Sequence, residues 1–257
     1  MRAQTLPPAA GWQWLLGGYA IFRRNPLMLG MLVLAYWFTV LFLNLLPVVG
    51  ALAASLAIPG LSVGLMQAAR DIDRGLQPGL QTLYGSMRQN GRTLLALGAL
   101  YLCCTLGIFG VSALVDGGDL LRFMLASNRA ERAAVEDANF ILPGLVVTAL
   151  MIPLLMAYWF APVLAAWHRL SVGKSLFFSF VACLLNWRPF LVFSIGLLLV
   201  AGILPGLLLG TVLLLFPGAA NFATAVVVMP MLLVIAPVVY ASFYACYRDI
   251  FGISEIV

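Results

Sequence analysis

Apolar residues run along this chain in blocks too long for an amphipathic surface pattern, separated by short stretches where charges gather. No Asp, Glu, Lys or Arg occurs from Asn25 to Ala69, Thr93 to Val115, Ala138 to Trp167, or Pro189 to Tyr247. A helix needs about 20 apolar residues to cross a hydrocarbon core of about 30 Å. The first run therefore predicts two crossings with a turn near Leu46, Pro47 and Gly50, and the last run two more with a turn at Phe216-Pro217-Gly218. With one crossing from each middle run, the pattern predicts an all-α, polytopic membrane bundle of about six transmembrane helices in three hairpins.

A short segment introduces each hairpin, and here the pattern becomes helical and two-faced. Trp12, Leu15, Leu16, Tyr19 and Phe22 precede Asn25-Pro26. Leu80, Leu83, Tyr84 and Met87, set against Gln81, Ser86 and Arg88, precede Asn90-Gly91-Arg92. Leu176, Phe177, Phe180, Leu184 and Leu185, opposed by Lys174, Ser175 and Ser179, precede Asn186-Trp187-Arg188-Pro189. These read as interfacial helices, and with the equal spacing of Pro59 to Arg70-Asp71-Ile72 and Pro237 to Arg248-Asp249-Ile250 they predict internal repeats at 11–72, 79–169 and 173–250 within a single membrane domain. The extracytoplasmic stretch 116–139 predicts a short surface helix, Arg132 and Glu136 standing four apart.

Composition agrees with a lipid solvent: 63% of the 257 residues are apolar and 9% charged, against about 45–50% and 25% in soluble domains. The mean hydropathy is +1.06. Charge then sets the orientation, because Lys and Arg stay on the cytoplasmic side. With the amino terminus inside, the cytoplasmic face collects Arg2, Arg23, Arg24, Arg70, Arg74, Arg88, Arg92, Arg169, Lys174, Arg188 and Arg248, and the other face only Arg122, Arg129 and Arg132. Both termini are expected in the cytoplasm, and the net charge of +5 is explained by topology rather than by nucleic-acid binding. The opening residues lack the apolar core and cleavage site of a secretory signal.

The stretches GWQWLLGGYAIFRRNPL, IPGLSVGLMQAARDIDRG, NGRTLLALGALYL, YWFAPVLAAWH and SFVACLLNWRPFL resemble a family of bacterial inner-membrane proteins with six helices and no assigned activity. The resemblance covers nearly the whole chain. It implies fold and location and brings no functional residue with it.

The residues themselves offer little chemistry. His168 is the sole histidine and sits at a helix end, where anchoring is the commoner role. Cys103 and Cys104 point about 100° apart on a helix and cannot chelate as a pair; small core positions suit them better. An intramembrane enzyme would need Cys183, His168 and a carboxylate such as Asp71 or Asp249 to converge. No cofactor or metal site is expected, and the helix interiors lack the ionisable groups of proton-coupled carriers.

Proline is the main irregularity, at Pro59, Pro153, Pro162, Pro205, Pro230 and Pro237. Each frees a backbone carbonyl and kinks its helix. Such kinks serve packing, or open a midplane cavity for an amphiphile with Asn44, Ser55, Gln67, Tyr158 and Tyr240 as polar lining. Gly60 and Gly64, and the stripe Gly202, Gly206 and Gly210, allow close helix approach and possible homo-oligomers. Arg70, Asp71, Arg92, Arg188, Arg248 and Asp249 are the candidate contacts for lipid headgroups or a protein partner. The expected function is non-enzymatic action through membrane lipids or a partner, with a small transporter or channel for an uncharged or amphipathic solute as the alternative.

Overall fold

A computed structural model describes residues 3–46, 49–88, 90–125, 140–216, 218, 225 and 229–252. Among these residues six helices are long and apolar enough to cross a membrane, and the chain is an all-α polytopic bundle. Of the stretch 116–139, where a short surface helix is expected, Asp119–Leu125 is helical, while 126–139 with Arg132 and Glu136 lies outside the described residues, as do Pro47 and Pro217 of the two expected turns.

Helix α1 (Ala10–Arg24) leads into the first hairpin, α2 (Pro26–Asn44) and α3 (Val49–Asp73). Helix α4 (Leu80–Gly85) and a 3-10 turn (Ser86–Arg88) lead into α5 (Gly91–Asp116). After α6 (Asp119–Leu125), the return span is α7 (Ile141–Tyr158), broken at Trp159-Phe160 and resumed as α8 (Ala161–His168). Helix α9 (Val172–Leu185) introduces α10 (Trp187–Leu197), which passes through a π-helical stretch (Leu198–Ile203) into α11 (Leu204–Leu215). Helix α12 (Met229–Phe251) closes the bundle.

The three asparagines each mark the start of a span, and each does so with different contacts. Asn25 caps α2 by accepting from the Met28 amide. Asn90, at φ 57°, accepts from the Thr93 hydroxyl and donates to the Ala165 carbonyl, one of the orphan acceptors at the end of α8. Fully buried Asn186 accepts from Leu6 N–H and donates to the carbonyls of Gln4 and Ala182. Since Gln4 N–H donates to the Ile250 carbonyl, this asparagine holds the start of the chain against its end.

Packing follows a cyclic order. Helix α4 seats on α3, α9 on α7 and α8, and α1 on α12. Each lead-in thus rests on the return span of the preceding hairpin, the first closing on the last. Small residues make the seats: a side chain at Gly64 would fall on the Leu83 carbonyl, and one at Gly18 would lie 2.5 Å from the Val238 carbonyl and 2.7 Å from the Ser242 nitrogen. The faces turned inward combine small residues with a few large ones, and several bulky apolar side chains of the lead-ins face outward. In α9 the buried residues are Ser175, Ser179, Ala182 and Cys183, while Phe177, Leu184 and Leu185 are exposed. In α1, Gly11, Trp14, Leu15, Gly18 and Ile21 are buried while Trp12, Leu16 and Tyr19 are exposed. Lipid is as apolar as a protein core, so bulky residues lose nothing by facing out and small ones let helices close in. The same logic corrects the expected core role of Cys103, which is exposed.

Candidate midplane cavity

The return spans α3, α8 and α12 each carry a proline, and at the second of them a side chain re-satisfies the backbone. Pro59 releases the Ser55 carbonyl within α3, and α5 approaches so closely that a side chain at Gly98 would stand 2.6 Å from it. Pro162 follows the break at Trp159-Phe160. The Ser179 hydroxyl accepts from Phe160 N–H at 2.9 Å and donates to the Met156 carbonyl at 2.8 Å, stitching both sides of the break from a fully buried position. Pro237 is buried within α12.

Between these irregular stretches lies a cavity of about 280 Å³. Its wall combines Ser55, Ile58, Pro59, Ser62 and Met66 of α3 with Tyr101 of α5, Leu155 and Tyr158 of α7, Trp159 and Phe160 at the break, Pro162 and Val163 of α8, and Tyr240 and Phe243 of α12. On α3 these residues occupy the middle of the span, so the cavity lies near the membrane midplane by the helical rise of 1.5 Å per residue. The lining is apolar apart from five hydroxyls, and no Asp, Glu, Lys, Arg or His reaches it. Tyr158 donates to the Leu97 carbonyl and Ser55 to the Ala51 carbonyl. Each hydroxyl keeps acceptor capacity toward the interior.

Aromatic rings close the cavity toward the end that carries the arginines. Phe160 packs on Tyr247 and Phe251, and Trp167 on Tyr244 and Tyr247. Arg70 lies 4.8 Å over the Trp167 ring, and His168 Nε2 is 2.7 Å from the Tyr247 hydroxyl. Beyond this layer Asp73 ties three elements together, meeting Arg24 at 2.9 Å and Arg248 at 3.0 Å, while Arg248 also pairs with Asp249.

A Burkholderia thailandensis protein described as a "probable inner membrane protein" is 39% identical over 261 residues, spanning 99% of this chain and 96% of the relative. The chain belongs to that family of inner membrane proteins. No family model matches it, and no solved structure matches it.

In this inner membrane protein the residues singled out from sequence separate into two groups. Ser55, Tyr158 and Tyr240 line the cavity; Asn44 instead donates to the Val40 carbonyl at a helix end, and Gln67 to Asp71. Of the candidate headgroup contacts, Arg248 and Asp249 pair with each other, Arg70 is taken up by Trp167, and Asp71 by Gln67. Exposed Arg188 lies over the Trp187 ring, and exposed Arg92 is unpaired among the described residues. The sequence reading missed Asp73 and Arg24 as the centre of the network. It also missed Ser62, Tyr101 and the aromatic walls of the cavity, for which the only signal was a proline or kink nearby.

The groups named for an intramembrane enzyme have separate partners. His168 faces Tyr247, Asp71 faces Gln67 and Asp249 faces Arg248. Burial pushes the Cys183 thiol up to about 12, which keeps it protonated rather than nucleophilic near neutral pH. Among the described residues no three His, Cys, Asp or Glu side chains gather as a metal site requires.

Proposed function

We propose that this inner membrane protein is a non-enzymatic binder of an uncharged amphiphile, held in the midplane cavity, with its arginine-rich end and both termini in the cytoplasm. The observation that carries this reading is the cavity itself. The cavity is partly open, since Ile58 and Leu155 of its lining are exposed, and its 280 Å³ corresponds to roughly nine waters at about 30 Å³ each. Its hydroxyls can accept and donate to a hydroxyl or carbonyl head, and its uncharged wall disfavours an ionised one. The orientation rests on the bias of Lys and Arg, and exposed Arg92 and Arg188 are the side chains best placed to meet lipid headgroups.

Carriage of such a molecule across the membrane is the second reading, favoured by prolines in three of the spans around the cavity. Native mass spectrometry of the protein released from its own membrane tests the binding. A retained neutral lipid-like adduct, lost in Ser62→Trp, which fills the cavity, is the expected result. A bare wild-type protein would overturn the reading.

A further inference from the structure

A second apolar hollow, of about 370 Å³, lies between Ala201 and Pro205 of the π-to-α11 stretch and Met231, Ile235 and Ala236 of α12. It shares two lining residues with the midplane cavity, Tyr240 and Phe243. Those two side chains are therefore the wall between the hollows. They stand three apart on α12, one above the other on a single face, with ring centroids 6.0 Å apart. Both are only partly buried. Phe243 leans on Trp159 at 5.1 Å and Tyr240 on Tyr36 at 5.5 Å. Pro237, one turn away, removes a backbone bond from the helix that carries them.

The hollow beyond this wall faces the bilayer. The span Trp187–Leu215 has none of its most apolar window buried, and its π-helical stretch has no buried residue. What surrounds such a surface in a membrane is acyl chain. The cavity alone falls just short of the roughly 300–1,000 Å³ of small-ligand pockets, whereas the two spaces joined lie within that range.

Resting on the reading of the cavity as an amphiphile site, we propose that the two hollows are one elongated site for a single-chain, uncharged lipid. The head lies among the hydroxyls of the cavity, the chain runs past Tyr240 and Phe243, and its tail occupies the groove between α11 and α12. The molecule enters sideways from the bilayer through that groove. The aromatic pair is the gate it displaces, by rotation of two partly exposed side chains rather than by movement of helices.

The test uses the full-length protein in nanodiscs with a long-chain fatty alcohol carrying a terminal diazirine, labelled by light and mapped by peptide mass spectrometry. The tail carries the label, so wild type should be marked on the groove segments around Ala201 and Ile235. Retention of the unlabelled alcohol, read by native mass spectrometry, should fall about tenfold in Ala201→Trp, which blocks the groove and leaves the cavity wall untouched. Leu207→Trp, which places the same new side chain at an exposed position of α11 outside both hollows, should leave labelling and retention unchanged. Retention at the wild-type level in Ala201→Trp, still abolished by Ser62→Trp, would overturn the single elongated site and leave the cavity reading standing. Absence of retention in wild type would overturn both.

Discussion

The two ends of this bundle are held by different means. At the arginine-rich end, hydrogen bonds and ion pairs join segments far apart in sequence: Asn186 to Leu6 and Gln4, Gln4 to Ile250, and Asp73 to Arg24 and Arg248. At the other end α11 has no buried residue. The difference teaches where the fold is fixed and where it is free to admit lipid, with the cavity at the boundary between the two regimes.

The largest expected effect lies at the fixed end. Gly18→Leu would force a side chain into the Val238 carbonyl and the Ser242 backbone, parting α1 from α12. A loss of about 3 kcal/mol, the upper range for overpacking, should appear in SDS-titrated unfolding. A loss under about 0.5 kcal/mol would mean that α1 is not a fixed part of the bundle.

Next comes Asn186→Ala. It leaves Leu6 N–H and the Gln4 carbonyl without their partner in a buried setting, at a cost of about 1–3 kcal/mol. The distinguishing readout is local: a protease should cut ahead of α1 in the variant and spare the wild type. Equal resistance would show that the chain start is held by something other than Asn186.

Much of the fixed end was legible before the structure, but not its wiring. The asparagines stood out because each sits between a lead-in and a long uncharged run, and each proves to start a span. Arg248-Asp249 was visible as an adjacent pair. Asp73 was not, since it gains its role only when α1 and α12 arrive beside the end of α3. The faces of α1 and α9 looked ordinary from their bulky apolar residues. The side that packs is marked by glycine, serine and alanine, joined in α1 by Trp14, Leu15 and Ile21, and the small residues have meaning as a signal only once lipid is taken as the solvent. The cavity was legible as prolines and hydroxyls, while its aromatic wall depends on which helices meet. The cyclic seating of the lead-ins supports a threefold plan as a proposal, with the break at Trp159-Phe160 as the departure of the second hairpin.

A smaller effect should follow from Asp73→Asn, which removes the charge shared by Arg24 and Arg248. The Arg24 side chain is 53% exposed, so its pair contributes little, and that with half-buried Arg248 contributes more. A loss of about 1 kcal/mol in low salt is expected, shrinking as ionic strength rises. A loss independent of salt would reassign Asp73 to hydrogen bonding alone.

The smallest effect sharpens the comparison most, because it repeats the first substitution in the other regime. Gly206 lies in α11 with nothing within 4 Å of the position a side chain would occupy. Leucine there meets only lipid and replaces the poorest non-proline helix former with one of the best, a gain of up to about 1 kcal/mol. Gly206→Leu should therefore leave SDS-titrated stability unchanged or slightly raised, where Gly18→Leu lowers it sharply. A destabilisation comparable to that of Gly18→Leu would show that the glycine stripe is covered in the membrane. The open half would then be one side of a helix contact, as the spacing of Gly202, Gly206 and Gly210 permits. A change seen only at high protein-to-lipid ratio would identify that contact as a second copy of the chain, since only self-association depends on concentration in this way.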